Sequence, residues 1–449
     1  MRKFVPYKKE ALPLREETDI LVVGGGPAGI GAAIQAARNG AQVILVERHG
    51  FLGGNITACY VETCNHFLFK HPDKVGGLYK EIEEKYKQQF GRSDDIRSDF
   101  PAHRFSSEYL KVFLDKFFEE NKVKILYHTL AVDVLKEDNY VRGVVIASKS
   151  GLEIILAKII IDTTGDADVA AYAGVDFLKG RELDGLCQPG TLNFRLCGVN
   201  VEKFLKKGAQ YYSNILRNMQ EDKTSGLSCP RKTAPMGRLT SSGMLSYINF
   251  SDVYRIDPTN VEDITRGEII ARRQIIEFIE FIKKYWDGFE NCELVSFAPI
   301  IGFRDSRRII GEYTLTQEDI DVGRYFPDEI VRYPRFYDML SLTGRWDDSD
   351  TLYIEVQPDK EFSIPYRCLL PISVENLLVA GRCISTEHIA EASIRAISAC
   401  MATGEAAGTA AALAINNRTS PRKVDISLLR ERLQKQGAKL TNIENQSRK

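Results

Sequence analysis

The sequence predicts an α/β fold built on a parallel sheet, with a second α+β unit inserted into it. Three observations carry this. Near the N-terminus a short apolar run, Asp19–Val23, passes through a glycine-rich turn into a small-residue helix, and a second apolar run follows at Gln42–Val46. Near the C-terminus, Asn376–Ala380 repeats the run-then-glycine pattern ahead of a long alanine-rich stretch. Between them, from about Gly174 to Pro358, such turns are scarce and aromatic and charged residues are frequent.

Each element has its own justification. Short unbroken apolar runs read as parallel strands buried on both faces. Ala28–Arg38 is made of small helix formers and stops at Gly40, and a strand–helix–strand unit of this length is what a crossover between parallel strands needs. Two amphipathic helices follow, near Gly77–Phe90 and Ser107–Asn121, the second with Ser107 and Glu108 as an N-terminal cap. Several strands occupy Lys124–Ile161, with turns at Glu137–Asn139 and Lys149–Gly151. A single helix is expected from Ser393 to Asn416, and another at Ile426–Gln436. The organisation expected is a discontinuous first domain (1–175 plus 359–416), an inserted domain (176–358) and a C-terminal helical extension (417–449).

Charge narrows the partners. The 449 residues carry 60 Lys and Arg against 61 Asp and Glu, a net charge of -1. No large positive field is available to attract nucleic acid or anionic lipid. The longest weakly polar stretch, Ile394–Ile415, contains Arg395 and Glu405 and suits a protein-buried helix better than a membrane span. The first twenty residues lack a secretory pattern, and nine scattered cysteines suit a reducing cytoplasm. There is no CxxC and no HExxH, so no metal site is expected.

The turn after the first strand reads Gly24-Gly25-Gly26-Pro27-Ala28-Gly29, a GxGxxG through Gly24, Gly26 and Gly29. The first glycine makes the tight turn, the second admits a pyrophosphate against the backbone, and the third lets helix and strand pack closely. Glu47 stands 18 positions after Gly29, where a carboxylate can accept both ribose hydroxyls of an adenosine and repel a 2′-phosphate. Beyond Arg48, the pair Gly53-Gly54 with Asn55 would let backbone lie against an isoalloxazine or its ribityl chain. No second motif of this kind is visible, so no separate nicotinamide domain is expected.

Three segments carry a resemblance: VVGGGPAGIGAAIQAARNGAQVILVER with FLGGN, then IIDTTGDADVAAYAG, then NLLVAGRCIS and the helix after it. Together they resemble flavoproteins with a glutathione-reductase-type FAD-binding domain. More narrowly, FRDSRRIIGEYTLT, IPYRCLLP and AGRCIS…H…ASIRA…CMATGEAAGTAAA resemble an FAD-dependent oxidoreductase family over nearly the whole chain. The resemblance implies non-covalent FAD in a parallel-sheet domain with a three-stranded antiparallel layer. It implies contacts from the glycine turn (Gly24, Gly26, Pro27, Ala28, Gly29), Glu47, Arg48, Gly53, Gly54 and Asn55. Further contacts are implied from Thr164, Gly165, Asp166, Gly381 and Arg382, and from Ile394 and Arg395 at the helix that follows. Many such proteins have Gly-Asp where this chain has Gly381-Arg382, so Arg382 would meet the diphosphate or leave the ribityl chain to backbone.

The expected chemistry is hydride transfer between a small polar, anionic substrate and the flavin, with electrons leaving to oxygen, a quinone or a protein. Residues 304–308 place three guanidiniums in five positions, and Arg304 and Arg307 are candidates to clamp the anion. His388 is a candidate proton carrier. Arg367, in the segment before the last motif, is placed near the flavin by the resemblance. Glu391 and Arg395, four apart, would pair. The alternatives are a thiol/disulfide oxidoreductase using Cys59 and Cys64, and a non-catalytic electron relay.

Overall fold

The computed structural model describes residues 11–62, 76–91, 96, 105–344 and 352–441. Strand β1 (Leu14–Val23) leads into helix α1 (Pro27–Arg38) and β2 (Val43–Val46). The one-turn α2 (Asn55–Ala58), α3 (Gly77–Phe90) and α4 (Ser107–Glu120) precede β3 (Lys124–Leu126), β4 (Leu130–Glu137), β5 (Tyr140–Ser148) and β6 (Gly151–Asp162). A short α5 (Asp168–Tyr172) and β7 (Phe177–Lys179) come next, followed by β8 (Phe194–Cys197), α6 (Val201–Lys207), α7 (Ala209–Glu221), β9 (Leu245–Ile248), α8 (Val261–Tyr285) and β10 (Glu293–Phe297). The chain returns through β11 (Arg307–Ile309), α9 (Gln317–Asp321), the paired β12 (Glu329–Met339) and β13 (Leu352–Pro365), and β14 (Leu377–Val379). It ends in α10 (His388–Ile394), α11 (Ile397–Asn416) and α12 (Ile426–Lys435).

Strand β6 organises the main sheet. Its C-terminal half lies parallel between β1 and β14, and its N-terminal half pairs antiparallel with β5, which carries β4. With β2 and β3 parallel beyond β1, the result is a parallel sheet that forks into a three-stranded antiparallel layer. The α/β, parallel-dominated architecture agrees with the sequence. β1 starts earlier than its apolar run because Leu14–Glu17 pair with Ile154–Leu156 through backbone while their side chains stay largely in solvent.

Alternation along the central strands separates two cores. Ile20, Val22, Leu45 and Ile161 face α1, α4 and α11, together with the β12–β13 pair and Leu429 and Leu433 of α12. Leu21, Val23, Ile44 and Ile160 face the antiparallel layer and α5. A third core belongs to residues 192–301, where Trp286 packs against Tyr212, Phe278 and Phe289.

Glycines explain why α1 and α11 are made of small residues. A Cβ on Gly404 would lie 2.0 Å from the Ala28 carbonyl oxygen, and one on Gly408 would lie 2.1 Å from that of Ala32. The helices therefore cross with backbones almost touching, which fixes the N-terminus of α11 beside that of α1. The expected Ser393–Asn416 helix is two helices. Arg395 closes α10, Ala396 is extended (φ -57°, ψ 140°), and α11 starts afresh at Ile397 with no side-chain cap. The cap expected from Ser107 is also different: Ser106 is the N-cap, and the buried Glu62 carboxylate accepts the Ser107 N–H at 3.1 Å and an Arg195 N–H at 2.6 Å.

One buried acid gives a pH-dependent stability. Glu405 of α11 accepts the Leu78 N–H at the start of α3 and the Gln35 amide, both at 3.0 Å. Burial pushes its carboxyl up to about 7 from 4.5, against the pull of those two donors. The folded value lies above the unfolded one, so this group's contribution is complete below 4.5 and is lost as pH rises through about 7. Glu405→Gln should therefore flatten the fall in stability between pH 5 and 8 by up to about 3 kcal/mol. Thermal melts of both proteins at the two pH values check this; parallel losses would refute it.

Candidate active site

The C-terminal ends of β1, β2, β6 and β14 open onto one cleft, the place where open α/β sheets bind ligands. The glycine turn forms its floor. Gly24 has φ +106°, and a Cβ there would lie 2.6 Å from the Thr163 carbonyl oxygen. A Cβ on Gly29 would lie 1.8 Å from the Gly24 carbonyl oxygen, whereas one on Gly26 would meet nothing nearer than Gly54 Cα at 3.8 Å. Two of these glycines thus serve packing, and Gly26 keeps the cleft open. Helix α1 begins there with Pro27 at its first turn and no side-chain cap, so its N–H groups and dipole face the space an anion would occupy.

Glu47 closes one end of the cleft. Its oxygens accept the Gly25 N–H at 2.6 Å and the His49 N–H at 2.8 Å, and burial raises its pKa above the usual carboxylate value against those donors. Each oxygen keeps lone-pair capacity for a hydroxyl. Arg48 and His49 line the wall beside it. Burial, with Arg48 and His128 nearby, pushes His49 down to about 4, so its ring is neutral at pH 7. Gly54 (φ +51°) lies against Gly26, and Asn55 starts α2 at the cleft edge. Gly53 (φ +111°) does not line the cleft; it shapes the turn that does.

Arg382 closes the other end and ties three segments. It donates to the Gly165 carbonyl (2.7 Å), the Phe303 carbonyl (2.7 Å) and the Asp166 carboxylate (2.6 Å). Burial opposes the charge on Asp166, but Arg382 and the Ser306 hydroxyl outweigh it and hold the pKa below the usual value. Thr164, Gly165, Gly381 and Arg395 share the lining, as do Ile397 and Cys400 from the first turn of α11. Gly29 and Ile394 do not reach it; both are packed inside.

A second cavity adjoins this cleft through Asn55, Arg382, Arg395 and Ile397. The two enclose about 780 and 1010 Å³, open mouths included, which suits a large cofactor beside a substrate. The second is walled by Phe336, Asp338 and Ala392 on one side and Thr191, Asn193, Tyr247, Asn249 and Arg304 on the other. Arg395 donates to the Asp338 carboxylate at 3.1 Å. Arg304 donates to the Pro189 carbonyl (2.7 Å) and the Thr191 hydroxyl (2.8 Å), and no carboxylate among the described residues pairs with it. Burial pulls its pKa down, against the attraction of Asp252.

The FRDSRR segment, which looked like one cationic clamp, divides its labour. Of its three arginines, Arg304 alone reaches the second cavity, beside Phe303. Asp305 accepts the Gln188 N–H and bonds His388 Nε2 at 2.6 Å, Ser306 bonds Asp166, and Arg308 reaches the Gly180 and Thr386 carbonyls. Arg307 pairs with Asp168 and with the Asp166 carbonyl and lines neither cavity. His388 is buried on Asp305 and also lines neither. Arg367 forks onto Asp328 (2.9 and 3.2 Å) and lies over Tyr313, away from both. Arg395 does not pair with Glu391 as expected; Glu391 is fully buried, 3.7 Å from Arg308. Sequence reasoning missed Tyr247, Asn249 and Asp338, which stand in no motif.

Because Arg307 is held internally, Arg307→Ala should leave ligand affinity unchanged and cost about 1–3 kcal/mol of stability. Asp168, already pushed up to about 6 by burial and by Asp166 and Asp162, would lose its compensating charge. A lowered melting temperature with unaltered binding is the expected pair of results; weakened binding at full stability would contradict it.

The donor set fits a dinucleotide flavin. An open glycine floor, an acid at one end, an arginine at the other and two uncapped helix N-termini share one cleft. Thiamine thiazole synthase of Methanococcus vannielii is 29% identical over 164 residues, 34% of this chain and 59% of that protein. Digeranylgeranylglycerophospholipid reductase of Methanospirillum hungatei is 27% identical over 201 residues, 42% and 48% of the two chains. The match thus spans about half to three fifths of these relatives' length. Among solved structures, a geranylgeranyl bacteriochlorophyll reductase-like protein of Thermoplasma acidophilum aligns over 94% of this chain and 84% of its own, with 14% identity and a TM-score of 0.47. L-proline dehydrogenase of P. horikoshii aligns over 93% and 97%, with 13% identity and a TM-score of 0.43. The description that covers the whole arrangement is the one matched by residues 19–433: the chain belongs to the FAD dependent oxidoreductase family, and it is an FAD-dependent enzyme.

Proposed function

We propose that this enzyme oxidises or reduces a small polar, anionic molecule in the second cavity, beside FAD held non-covalently in the first. The FAD-binding unit is read as glutathione-reductase type, discontinuous over 1–175 and 359–416, with 176–358 as the substrate unit and 417–449 as an extension. When bound, FAD supplies two-electron chemistry, accepting or giving a hydride at N5. The chain's residues do the rest. The α1 N-terminus and Gly26 would receive the diphosphate, Glu47 the ribose, and Arg382 would keep the far wall in register. The α11 N-terminus would favour negative charge beside it.

Arg304 carries the substrate reading. A half-buried guanidinium without a carboxylate partner among the described residues, in a cavity that adjoins the cofactor cleft, is a place for an anion. The thiol alternative has weaker support. Burial pushes the Cys59 thiol up to about 12 and its Sγ contacts Asn55 Oδ1 at 3.4 Å, leaving little thiolate at neutral pH. Cys64 lies outside the described residues. Electrons would leave to oxygen, a quinone or a protein. A cytoplasmic location is supported by the described cysteines being unpaired; among the described residues no helix is long and apolar enough to cross a membrane.

The test is anaerobic titration of the FAD-loaded protein with small carboxylic acids and their methyl esters. The acids should perturb or bleach the flavin absorption and the esters should not. Esters acting equally well would remove the anionic substrate.

A further inference from the structure

Tyr247 reaches the second cavity because the backbone is bent to deliver it. Strand β9 pairs with β8 at Leu245–Leu196 and at Ile248–Phe194, so Ser246 and Tyr247 together oppose Arg195. This is a β-bulge, a device that re-aims a side chain. Tyr247 itself sits at φ +53°, a conformation a tyrosine rarely adopts and that surrounding structure must impose. The neighbouring segment does so. The Gly237 N–H donates to the carbonyls of Ser246 (3.1 Å) and Tyr247 (3.0 Å), and a Cβ on Gly237 would lie 2.6 Å from Tyr247 Cβ.

The surroundings are those of a group that handles a proton. Asn249, which shares the cavity wall, favours the charged form of the phenol, and the charged groups that face it are Arg304, Asp338 and Arg231. Burial raises the phenol's pKa, and Arg304 is the largest influence pulling it back. On the cavity wall Arg395 is paired with Asp338 and Arg382 with Asp166, which leaves the charge of Arg304 without a carboxylate partner among the described residues. An ammonium group would be repelled there, so the reacting centre is better matched by a neutral hydroxyl than by an amine.

We infer that the substrate is a hydroxy carboxylate, and that Tyr247 is the catalytic residue that takes the proton of its carbinol as the carbon is oxidised. This rests on the anionic-substrate reading, with the carboxylate on Arg304. The carbinol C–H bond breaks and its hydrogen leaves with both electrons, as hydride, to oxidised FAD. The O–H bond breaks and its proton passes to the Tyr247 oxygen in the fraction of molecules that carries the phenolate, a fraction that burial keeps small and that grows with pH. The carbon becomes a carbonyl, two electrons poorer, and the cofactor two electrons richer. In the reverse direction the neutral phenol returns the proton.

The test uses FAD-loaded protein without oxygen and three matched sets: glycolate, lactate and malate; acetate, propionate and succinate; glycine, alanine and aspartate. Affinity is read by calorimetry and flavin reduction by stopped flow from pH 6 to 10. The hydroxy acids should bind more tightly than their deoxy partners and bleach the flavin, about tenfold faster per pH unit below the phenol's titration. Tyr247→Phe, checked for retained FAD, should lose the binding preference and the pH slope and slow reduction about 100-fold. Asn249→Ala, which leaves the bulge in place, should move the pH profile in the same experiment. Bleaching by the amino acids instead, or a Phe variant with rate, slope and preference intact, would overturn the inference and leave the anionic reading standing. Failure of every carboxylate to bind would overturn the anionic reading itself.

Discussion

Replacing Arg304 by glutamine is expected to weaken carboxylate binding about 100-fold, close to 2.7 kcal/mol, while the flavin stays bound. Arg304 lines only the second cavity, and its partners, Pro189 and Thr191, are neutral. Burial already pulls its pKa down, so the fold bears a cation it would rather not hold. The glutamine variant should therefore melt no lower than the wild type, and higher if relief of the buried charge dominates. Arg304→Lys should fall between, because a point charge cannot reproduce the planar fork. Calorimetric affinities with paired melting curves check all three. Unchanged affinity in the glutamine variant would take the anion out of this cavity.

The second large effect separates two glycines of one motif. Gly26→Val should give a folded protein without FAD. The nearest atom to a new Cβ is 3.8 Å away, yet the added methyl groups would fill the floor where a diphosphate lies. Gly29→Val should fail earlier, at folding, since its Cβ would lie 1.8 Å from a carbonyl oxygen of the preceding turn. Far-ultraviolet circular dichroism and bound flavin, measured on both, distinguish these outcomes. A Gly26 variant with full flavin would relocate the cofactor; a stable Gly29 variant would contradict the helix–strand contact.

These contrasts mark what was legible in the sequence. The glycine turn, Glu47 and the paired strands could be read because backbone constraints leave a residue-level trace. The bounds of α3 and α4 followed from their amphipathic spacing. Function-bearing side chains left less. Three guanidiniums stand in five residues, but only the tertiary positions of Asp168, Glu182 and the cavity decide that Arg307 and Arg308 are held internally and Arg304 is not. His388 has the residue type of a proton carrier, and Asp305 keeps it in the interior. Tyr247 had no signal at all, because its bulge and left-handed backbone arise from pairing with a strand distant in sequence, and Asp338 stands in no motif. The break between α10 and α11 carries no glycine or proline; it exists where the helix start meets the cleft.

The absorption spectrum of the purified protein, before and after denaturation and filtration, tests the central claim most directly. The account predicts peaks near ~375 and ~450 nm, about one flavin per chain, released as free FAD on denaturation. A colourless protein that also fails to take up added FAD would contradict it.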